Sequence, residues 1–304
     1  VDPENVTPNK PPAPTPPYEA RWPQGRKLSV TQIRTWIRDP YSIYARYILG
    51  LKSLEDLDML IGNRDFGNAI HNGLEHFVEA HKTHLPSHAK TLLVQAFETA
   101  LMKEGFEDFD IAKDKTRLEK IADDIIPWMV ERRKTGWAVS GVERWAEHFI
   151  QDANFTLIAK ADLIEKGPHG YAATDYKTGT LSSVAVVKAG FDPQLPLTAF
   201  LLEQGAFDRL PPAETAELNY VRVKGSGTSK LFNPIAAPLA KKGDDVETYI
   251  GDALANLRKL IAEYDKPETP YYCQPRAQYV HDYSDYNHLA RKDEWARLGG
   301  EANG

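Results

Sequence analysis

The chain has 304 residues, 42% of them hydrophobic and 26% charged, a composition typical of an ordinary globular protein with a sizeable core. Its formal net charge of −6 would repel a polyanion at long range, so contact with nucleic acid requires a local basic surface, a bound cation or a partner. The single cysteine, Cys273, excludes an internal disulfide framework and any zinc or iron–sulfur site built from the chain's own cysteines.

Three regions follow one another along the chain. Residues 1–27 contain eight prolines and predict an extended Pro-rich linker with nothing to pack against. Residues 28–140 predict a helical part, and residues 141–304 predict a β-sheet core followed by a C-terminal segment. No window approaches the roughly 18 uncharged apolar residues of a membrane helix. Because a signal-peptide core is also missing, we expect no membrane contact and a cytoplasmic location.

Several helices are predicted in the region 28–140. Ser29 or Thr31 can cap a first helix, which Asp39-Pro40 would end. Residues 89–104 and 117–134 have the apolar spacing of amphipathic helices, and we interpret both as packing elements.

The helix predicted over residues 64–77 carries a candidate ligand. His71 and Glu75 lie one turn apart, on a face next to the apolar stripe of this helix. Taken alone, His71 is more typical of a satisfied core or surface histidine than of a ligand. The nearby histidines at 81, 84 and 88 could be counted as a zinc cluster, but Pro86 breaks their spacing, so we predict a solvated loop there.

A predicted hairpin at the centre of the chain carries the acidic residues of greatest interest. Residues 155–165 and 171–179 are β-prone runs separated by a glycine turn. The hairpin places Asp162 beside Asp175, and the period of two puts Lys177 on the same face as Asp175. Two neighbouring carboxylates repel each other, so a sheet that keeps both needs a cation, and carboxylate ligands suit Mg²⁺ or Mn²⁺. The alternative, a pair of surface acids, is disfavoured by their apolar neighbours.

The remaining elements complete the predicted α/β pattern. A helix begins at Gln194, and residues 216–223 and 230–235 predict a further pair of strands. Residues 244–264 predict a capped helix, and the tail that follows is aromatic and charged with little periodicity.

Four motifs in this order resemble one known family. They are Gly67 four residues before His71, Ala-Asp162, Asp175-Tyr-Lys177-Thr-Gly, and Gln194-Leu. Together they resemble the PD-(D/E)XK nuclease superfamily over roughly residues 28–290, and within it the RecB-type nuclease domain of AddB proteins of the alphaproteobacterial type. The resemblance implies an α/β fold in which a mixed central β-sheet is flanked by helices and preceded by an N-terminal helical region.

The resemblance also implies roles for individual residues. A catalytic Mg²⁺, for which Mn²⁺ could substitute, would be held by His71, Asp162, Asp175 and the backbone carbonyl of Tyr176. Lys177 would stand beside the attacking water, and Gln194 would orient Lys177, the water or the DNA. Asp162, Asp175, Lys177 and Gln194 are thus the expected catalytic residues, and Glu75 and Glu147 are outer candidates.

The family further implies a substrate and a partner. The expected activity is a Mg²⁺-dependent deoxyribonuclease that hydrolyses phosphodiester bonds in single strands. An AddA-like helicase–nuclease subunit would deliver these strands during double-strand-break repair at the bacterial nucleoid. Two other functions compete: a catalytically silent scaffold or DNA-binding domain of the same complex, and a hydrolase of a small phosphate ester. The second lacks a Gly-rich phosphate loop in the sequence.

Two departures from the family pattern are visible. Many such domains use four cysteines to hold an iron–sulfur cluster that joins the C-terminal segment to the first helix, and with Cys273 alone we expect no cluster. An Asp39–Arg276 ion pair, or packing of Tyr271 and Tyr272 against Trp36, is the hypothetical replacement. The second departure is Thr198, where the family pattern has tyrosine.

Overall fold

The computed structural model describes residues 12–23, 25–52, 62–225, 232–236, 245–276, 279 and 284–292. Its α-helices are α1 (Val30–Arg38), α2 (Pro40–Ile43), α3 (Asn63–Ala80), α4 (Ala89–Lys103), α5 (Asp108–Lys134), α6 (Val184–Lys188), α7 (Gln194–Glu203) and α8 (Val246–Tyr264). Its strands are β1 (Lys27–Ser29), β2 (Ala138–Ile150), β3 (Phe155–Gly167), β4 (Gly170–Lys177), β5 (Thr215–Arg222) and β6 (Phe232–Ala236). No described helix is long and apolar enough to cross a membrane.

The strands form one mixed sheet in the order β1-β3-β4-β5-β6, with β2 pairing along the other edge of β3. β3 pairs antiparallel with both β2 and β4, whereas β4 and β5 run parallel and are joined by a crossover that contains α6 and α7. The prediction of an α/β fold with a mixed central sheet is confirmed. The predicted hairpin corresponds to β3 and β4.

Helices cover both faces of the sheet. On one face, α1, α7 and α8 contribute buried side chains such as Trp36, Leu197 and Leu257 to one hydrophobic cluster. On the other face, α3, α4 and α5 pack in a second cluster around side chains such as Leu74 and Phe97. Because one cluster lies against each face, most of the sheet is shielded from solvent on both sides, although Trp145 and Phe149 of β2 are exposed.

The first helix begins where the sequence predicts. Ser29 Oγ accepts a hydrogen bond from the Gln32 amide at 3.2 Å, and Gln32 Oε1 accepts one from the Ser29 amide at 2.7 Å. This reciprocal pair is a capping box, which satisfies two amides that the helix leaves unpaired. The helix predicted from residue 117 begins earlier, at Asp108, since the acidic residues of its first turn favour a helix N-terminus.

The prediction of an unpacked linker over residues 1–27 is wrong for residues 12–23 and 25–27. Arg21 is 3% exposed, and its guanidinium donates to the carbonyls of Pro16, Tyr264, Pro267 and Thr269. Trp22 packs edge-on against Trp36 with ring centroids 5.6 Å apart. A buried arginine that satisfies distant carbonyls fixes this segment to the body. Residues 1–11 of the predicted linker lie outside the described residues.

The C-terminal segment is attached to α1 by hydrogen bonds. Asp39, 5% exposed, accepts from Ser42 Oγ at 2.5 Å, from the Gln274 amide at 3.1 Å and from Ser284 Oγ at 3.3 Å. The hypothesis of an Asp39–Arg276 ion pair is wrong, because the Arg276 guanidinium lies 5.1 Å from the centroid of the Phe191 ring instead. The aspartate therefore joins two parts of the chain that are far apart in sequence.

Aromatic packing adds to this attachment, although not in the predicted pairing. The Tyr264 ring lies between Trp36, at 4.9 Å, and Tyr271, at 4.7 Å between ring centroids. Tyr271 therefore reaches Trp36 through Tyr264, while the Tyr272 side chain is largely exposed. The predicted contact of Tyr271 with Trp36 is therefore indirect, because a third ring from the C-terminal end of α8 lies between them.

Candidate metal centre and active site

The candidate site lies where β3 and β4 separate. Their antiparallel pairing ends at Leu163 and Thr174, so Asp162 and Asp175 are the first residues beyond the last pair. Asp175 is 5% exposed, and the Asp162 side chain is 15% exposed. The two carboxylates are therefore held close together with little solvent to screen them.

Asp162 sits in an environment that disfavours its ionised form. The hydrogen bond that one of its oxygens accepts from the Tyr176 backbone amide, at 2.8 Å, favours the ionised form but is outweighed by burial and neighbouring charge. Burial raises the pKa of the Asp162 carboxyl well above its usual range, and the negative charges of Asp175 and Glu143 raise it further. A divalent cation would relieve this repulsion, because it favours the charged form of every carboxylate around it.

His71 reaches the same point from α3. Its Nδ1 lies 3.5 Å from Asp162 Oδ2. Burial is the main cause that lowers the pKa of the His71 imidazole, so the ring is neutral near pH 7 and can offer a lone pair to a metal. A β-carbon added at Gly67 would lie 3.0 Å from Thr178 Oγ1, so glycine allows this turn of α3 to approach the end of β4.

Glu143 is the acidic residue that the sequence reasoning missed. His71, Glu143 and Asp162 each offer a ligand atom, and these atoms lie within 4.8 Å of one another. In the β2–β3 register, Glu143 lies between the pairs Val142–Leu163 and Arg144–Ala161, directly across from Asp162. Its backbone has a φ of +49°, which L-residues rarely adopt, and its carboxylate forms an ion pair with Lys160.

The outer candidates that the sequence suggested, Glu75 and Glu147, lie outside the metal group. Glu147 lies four residues further along β2 and is exposed, and Glu75 is partly buried on α3. Neither belongs to the described group that could hold a metal, and nor do the histidines at 81, 84 and 88. Glu143 could have been identified only from its position opposite Asp162, and that position is known only once the β2–β3 register is known.

Asp175 faces a second set of partners. Lys177 Nζ lies 2.9 Å from Asp175 Oδ1 and 2.7 Å from Oδ2, as expected for residues two apart on one face of a strand. Gln194, at the start of α7, donates from Nε2 to Asp175 Oδ1 at 2.5 Å. Gln194 Oε1 in turn accepts from Lys177 Nζ at 3.4 Å. The structure thus brings Asp175, Lys177 and Gln194 together in one partly buried triangle.

The predicted ligand set is therefore divided between two adjacent groups. His71 and Asp162 meet Glu143, whereas both Asp175 oxygens contact Lys177. Tyr176 links the two groups through its backbone amide, and its carbonyl as a ligand stays a prediction. Thr198, the departure from the family pattern, donates from Oγ1 to the Gln194 carbonyl one turn earlier in α7 at 2.8 Å.

The donor set suits a hard divalent cation. It consists of carboxylate oxygens and one neutral imidazole, with Lys177 and the amide of Gln194 alongside. Mg²⁺ and Mn²⁺ prefer such oxygen-rich sites and retain bound water. The raised pKa of Asp162 is the electrostatic sign that the residues present fit a cation.

Comparison with known proteins identifies a family whose sequence pattern covers most of the chain. Residues 27–277 match the PD-(D/E)XK nuclease superfamily. Among curated proteins, an uncharacterized protein of Rickettsia bellii is 27% identical over 183 residues, which cover 60% of this chain and 22% of the relative. An uncharacterized protein of Rickettsia typhi is 27% identical over 207 residues, covering 64% of this chain and 24% of the relative. The chain therefore spans about a quarter of the length of these relatives.

Proposed function

Because the chain belongs to the PD-(D/E)XK nuclease superfamily, we propose that it is a metal-dependent deoxyribonuclease that hydrolyses phosphodiester bonds. Mg²⁺ is the proposed metal, and Mn²⁺ would substitute for it. The observation that carries the proposal is the meeting of His71, Glu143 and Asp162 beside the Asp175–Lys177–Gln194 triangle. A metal group next to a fixed lysine is an arrangement suited to phosphate-ester hydrolysis, because both can stabilise the charge that develops on the phosphate.

The metal would be held by Asp162 and His71, with Asp175, the Tyr176 carbonyl and Glu143 as further ligands. When bound, it would make hydroxide available near neutral pH and neutralise charge on the scissile phosphate. Carboxylates already fixed by the sheet need little rearrangement on binding, which supports a preorganised site.

Lys177 is the proposed partner of the attacking water and the phosphate. Its amine is held by Asp175 and by Gln194 Oε1, so it can donate to oxygen atoms that gain negative charge during the reaction. Gln194 is a positioning residue in this account, because its amide spans Asp175 and Lys177 at once. These contacts support the catalytic roles that the sequence predicts.

The proposed substrate is single-stranded DNA, delivered by an AddA-like helicase–nuclease subunit in an AddAB-type complex that repairs double-strand breaks. The net charge of −6 favours delivery by a partner over unaided capture of DNA. The relatives are about four times as long as the matched region, which agrees with a nuclease domain inside a larger protein. A silent scaffold is the weaker alternative, because it has no need of a lysine fixed between two partners.

The activity is tested with an end-labelled single-stranded oligonucleotide in Mg²⁺, in Mn²⁺ and in EDTA. We expect cleavage in either metal and none in EDTA, with a mononucleotide ester left intact. Hydrolysis of the ester without cleavage of the oligonucleotide would contradict the proposal and favour a small-phosphate hydrolase.

A further inference from the structure

A groove of about 560 Å³ lies beside the active site. It is bordered by α1, by the turn that follows α2, by the start of α3 and by the described C-terminal residues 284–286. Its volume is within the range of functional binding clefts. Neither the metal group nor the Asp175–Lys177 pair lines it, so it is distinct from the centre described above.

The charge of the groove is opposite to that of the chain. Four arginines line it, namely Arg34, Arg38, Arg46 and Arg64, against the two acids Asp39 and Asp285. Asp39 is engaged by the Gln274 amide and by two serine hydroxyls, so its charge is partly satisfied inside the protein. On a chain with a net charge of −6, this is the local basic surface that contact with a polyanion requires.

Two of the arginines form the wall of the groove. Arg34 and Arg38 lie 3.7 and 3.8 Å from the buried carboxylate of Asp192, and Arg38 Nε donates to the Phe191 carbonyl at 2.7 Å. The other two arginines are exposed, and neither forms an ion pair with another described residue. Arg46 and Arg64 are therefore the residues available to a ligand.

The groove leads directly into the active site. Arg34 Nη1 lies 3.4 Å from Gln194 Oε1, the atom that also accepts from Lys177. Arg64 is seven residues before His71 on α3, so the two lie on one side of the helix, about 10 Å apart along its axis. A chain of phosphates that ran from Arg64 towards His71 would therefore reach the metal ligands.

We propose that this groove binds the phosphate backbone of the single DNA strand that is being cut, with Arg46 and Arg64 as its phosphate contacts. The inference rests on the proposed function and adds the path of the substrate to it. Arginine forms charge-assisted, often bidentate bonds to phosphate, whatever the base sequence. Binding in the groove is accordingly independent of sequence and sensitive to salt.

The test measures binding separately from cleavage. Anisotropy of a fluorescent oligothymidine is followed in EDTA over a series of salt concentrations, for the full chain and for the double variant Arg46→Ala/Arg64→Ala. The matched control is Arg258→Ala/Lys259→Ala, which removes the same charge from an exposed part of α8 outside the groove. Each single variant and Arg64→Lys are included, and circular dichroism verifies the fold.

We expect the groove variant to bind at least tenfold more weakly at low salt, and the control to bind nearly as wild type. The slope of log K against log salt is negative, and for single strands each lost phosphate contact reduces its steepness by about 0.7, so the steepness should fall by about 1.4 in the double variant. Arg64→Lys should keep most of the slope. Equal binding by the groove variant and the control would overturn the proposal, as would a loss confined to duplex DNA.

The two proposals can fail independently. If wild type cleaves DNA but the groove variant binds like the control, the nuclease activity is supported and the assignment of the groove is refuted. If wild type binds DNA through the groove but cleaves none in Mg²⁺ or Mn²⁺, the groove is supported as a DNA-binding site and the nuclease activity is refuted.

Discussion

Replacing Asp39 with alanine tests how the C-terminal segment is fixed to α1. The substitution removes the acceptor of the Gln274 amide and of the Ser42 and Ser284 hydroxyls. Both Asp39 and Gln274 are buried, so water cannot readily replace the lost bonds. The C-terminal segment would then lose a hydrogen-bonded anchor to α1.

The magnitude follows from the three hydrogen bonds. A bond to a charged partner contributes about 1.5–3 kcal/mol, and such bonds are not additive when they share one carboxylate. We expect Asp39→Ala to lower the free energy of unfolding by about 3 kcal/mol. At about 2 °C per kcal/mol for a chain of this size, the melting temperature should fall by roughly 6 °C.

The assay is thermal and urea denaturation near pH 7. Asp285→Ala is the control, because it removes an exposed acid from the same segment. Asp39→Asn should fall between Asp39→Ala and wild type, since its carbonyl keeps one acceptor. A melting temperature for Asp39→Ala within about 1 °C of wild type would refute the anchoring role, because changes that small are typical of surface substitutions.

Two further predictions concern the metal-free protein and the packing behind the site. Because the pKa of Asp162 is raised in the folded state, that state binds more protons than the unfolded chain above about pH 4. The contribution of Asp162 to the free energy of unfolding therefore decreases as pH rises above about 4, and it stops decreasing once the pH exceeds the pKa of Asp162 in the folded state. Asp162→Asn should therefore raise the melting temperature at pH 7 in EDTA. It should also abolish the increase in melting temperature that Mg²⁺ produces in wild type. A melting temperature below that of wild type in EDTA would contradict this reasoning. Gly73→Ala should cost about 1–3 kcal/mol, since its β-carbon would lie 2.6 Å from the Phe97 ring and 3.2 Å from its backbone. Gly251→Ala is the control: its β-carbon meets no atom within 4 Å, so it should stabilise α8 by about 0.5–1 kcal/mol. The free energy of unfolding is measured with urea. A change of the same sign in both variants would be incompatible with the close contact of α3 and α4.

Local patterns were enough to predict the hairpin and its lysine. The alternation in β3 and β4 and the acid-x-lysine spacing depend on neighbours in sequence, so the proximity of Asp175 and Lys177 follows from strand geometry. The capping residue Ser29 was predictable for the same reason. These features need no knowledge of how distant segments pack.

Long-range contacts explain what the sequence did not reveal. Glu143 faces Asp162 only because β2 pairs with β3 in one particular register, and its positive φ has no signature in a glutamate. The proline-rich composition of residues 1–27 suggested a free linker. The contacts that bury Arg21 come from carbonyls at the end of α8 and beyond, which the local sequence does not reveal. Asp39 likewise finds two of its three partners, Gln274 and Ser284, more than 200 residues away.

The most direct measurement is cleavage of labelled single-stranded DNA in Mg²⁺ by wild type, Asp175→Ala and Lys177→Ala. We expect wild type to cut the strand and both variants to lose at least about 100-fold in rate, with unchanged circular dichroism. Wild-type rates in either variant would contradict the assigned site. An inactive wild type, even with Mn²⁺ and a helicase–nuclease partner, would contradict the nuclease itself.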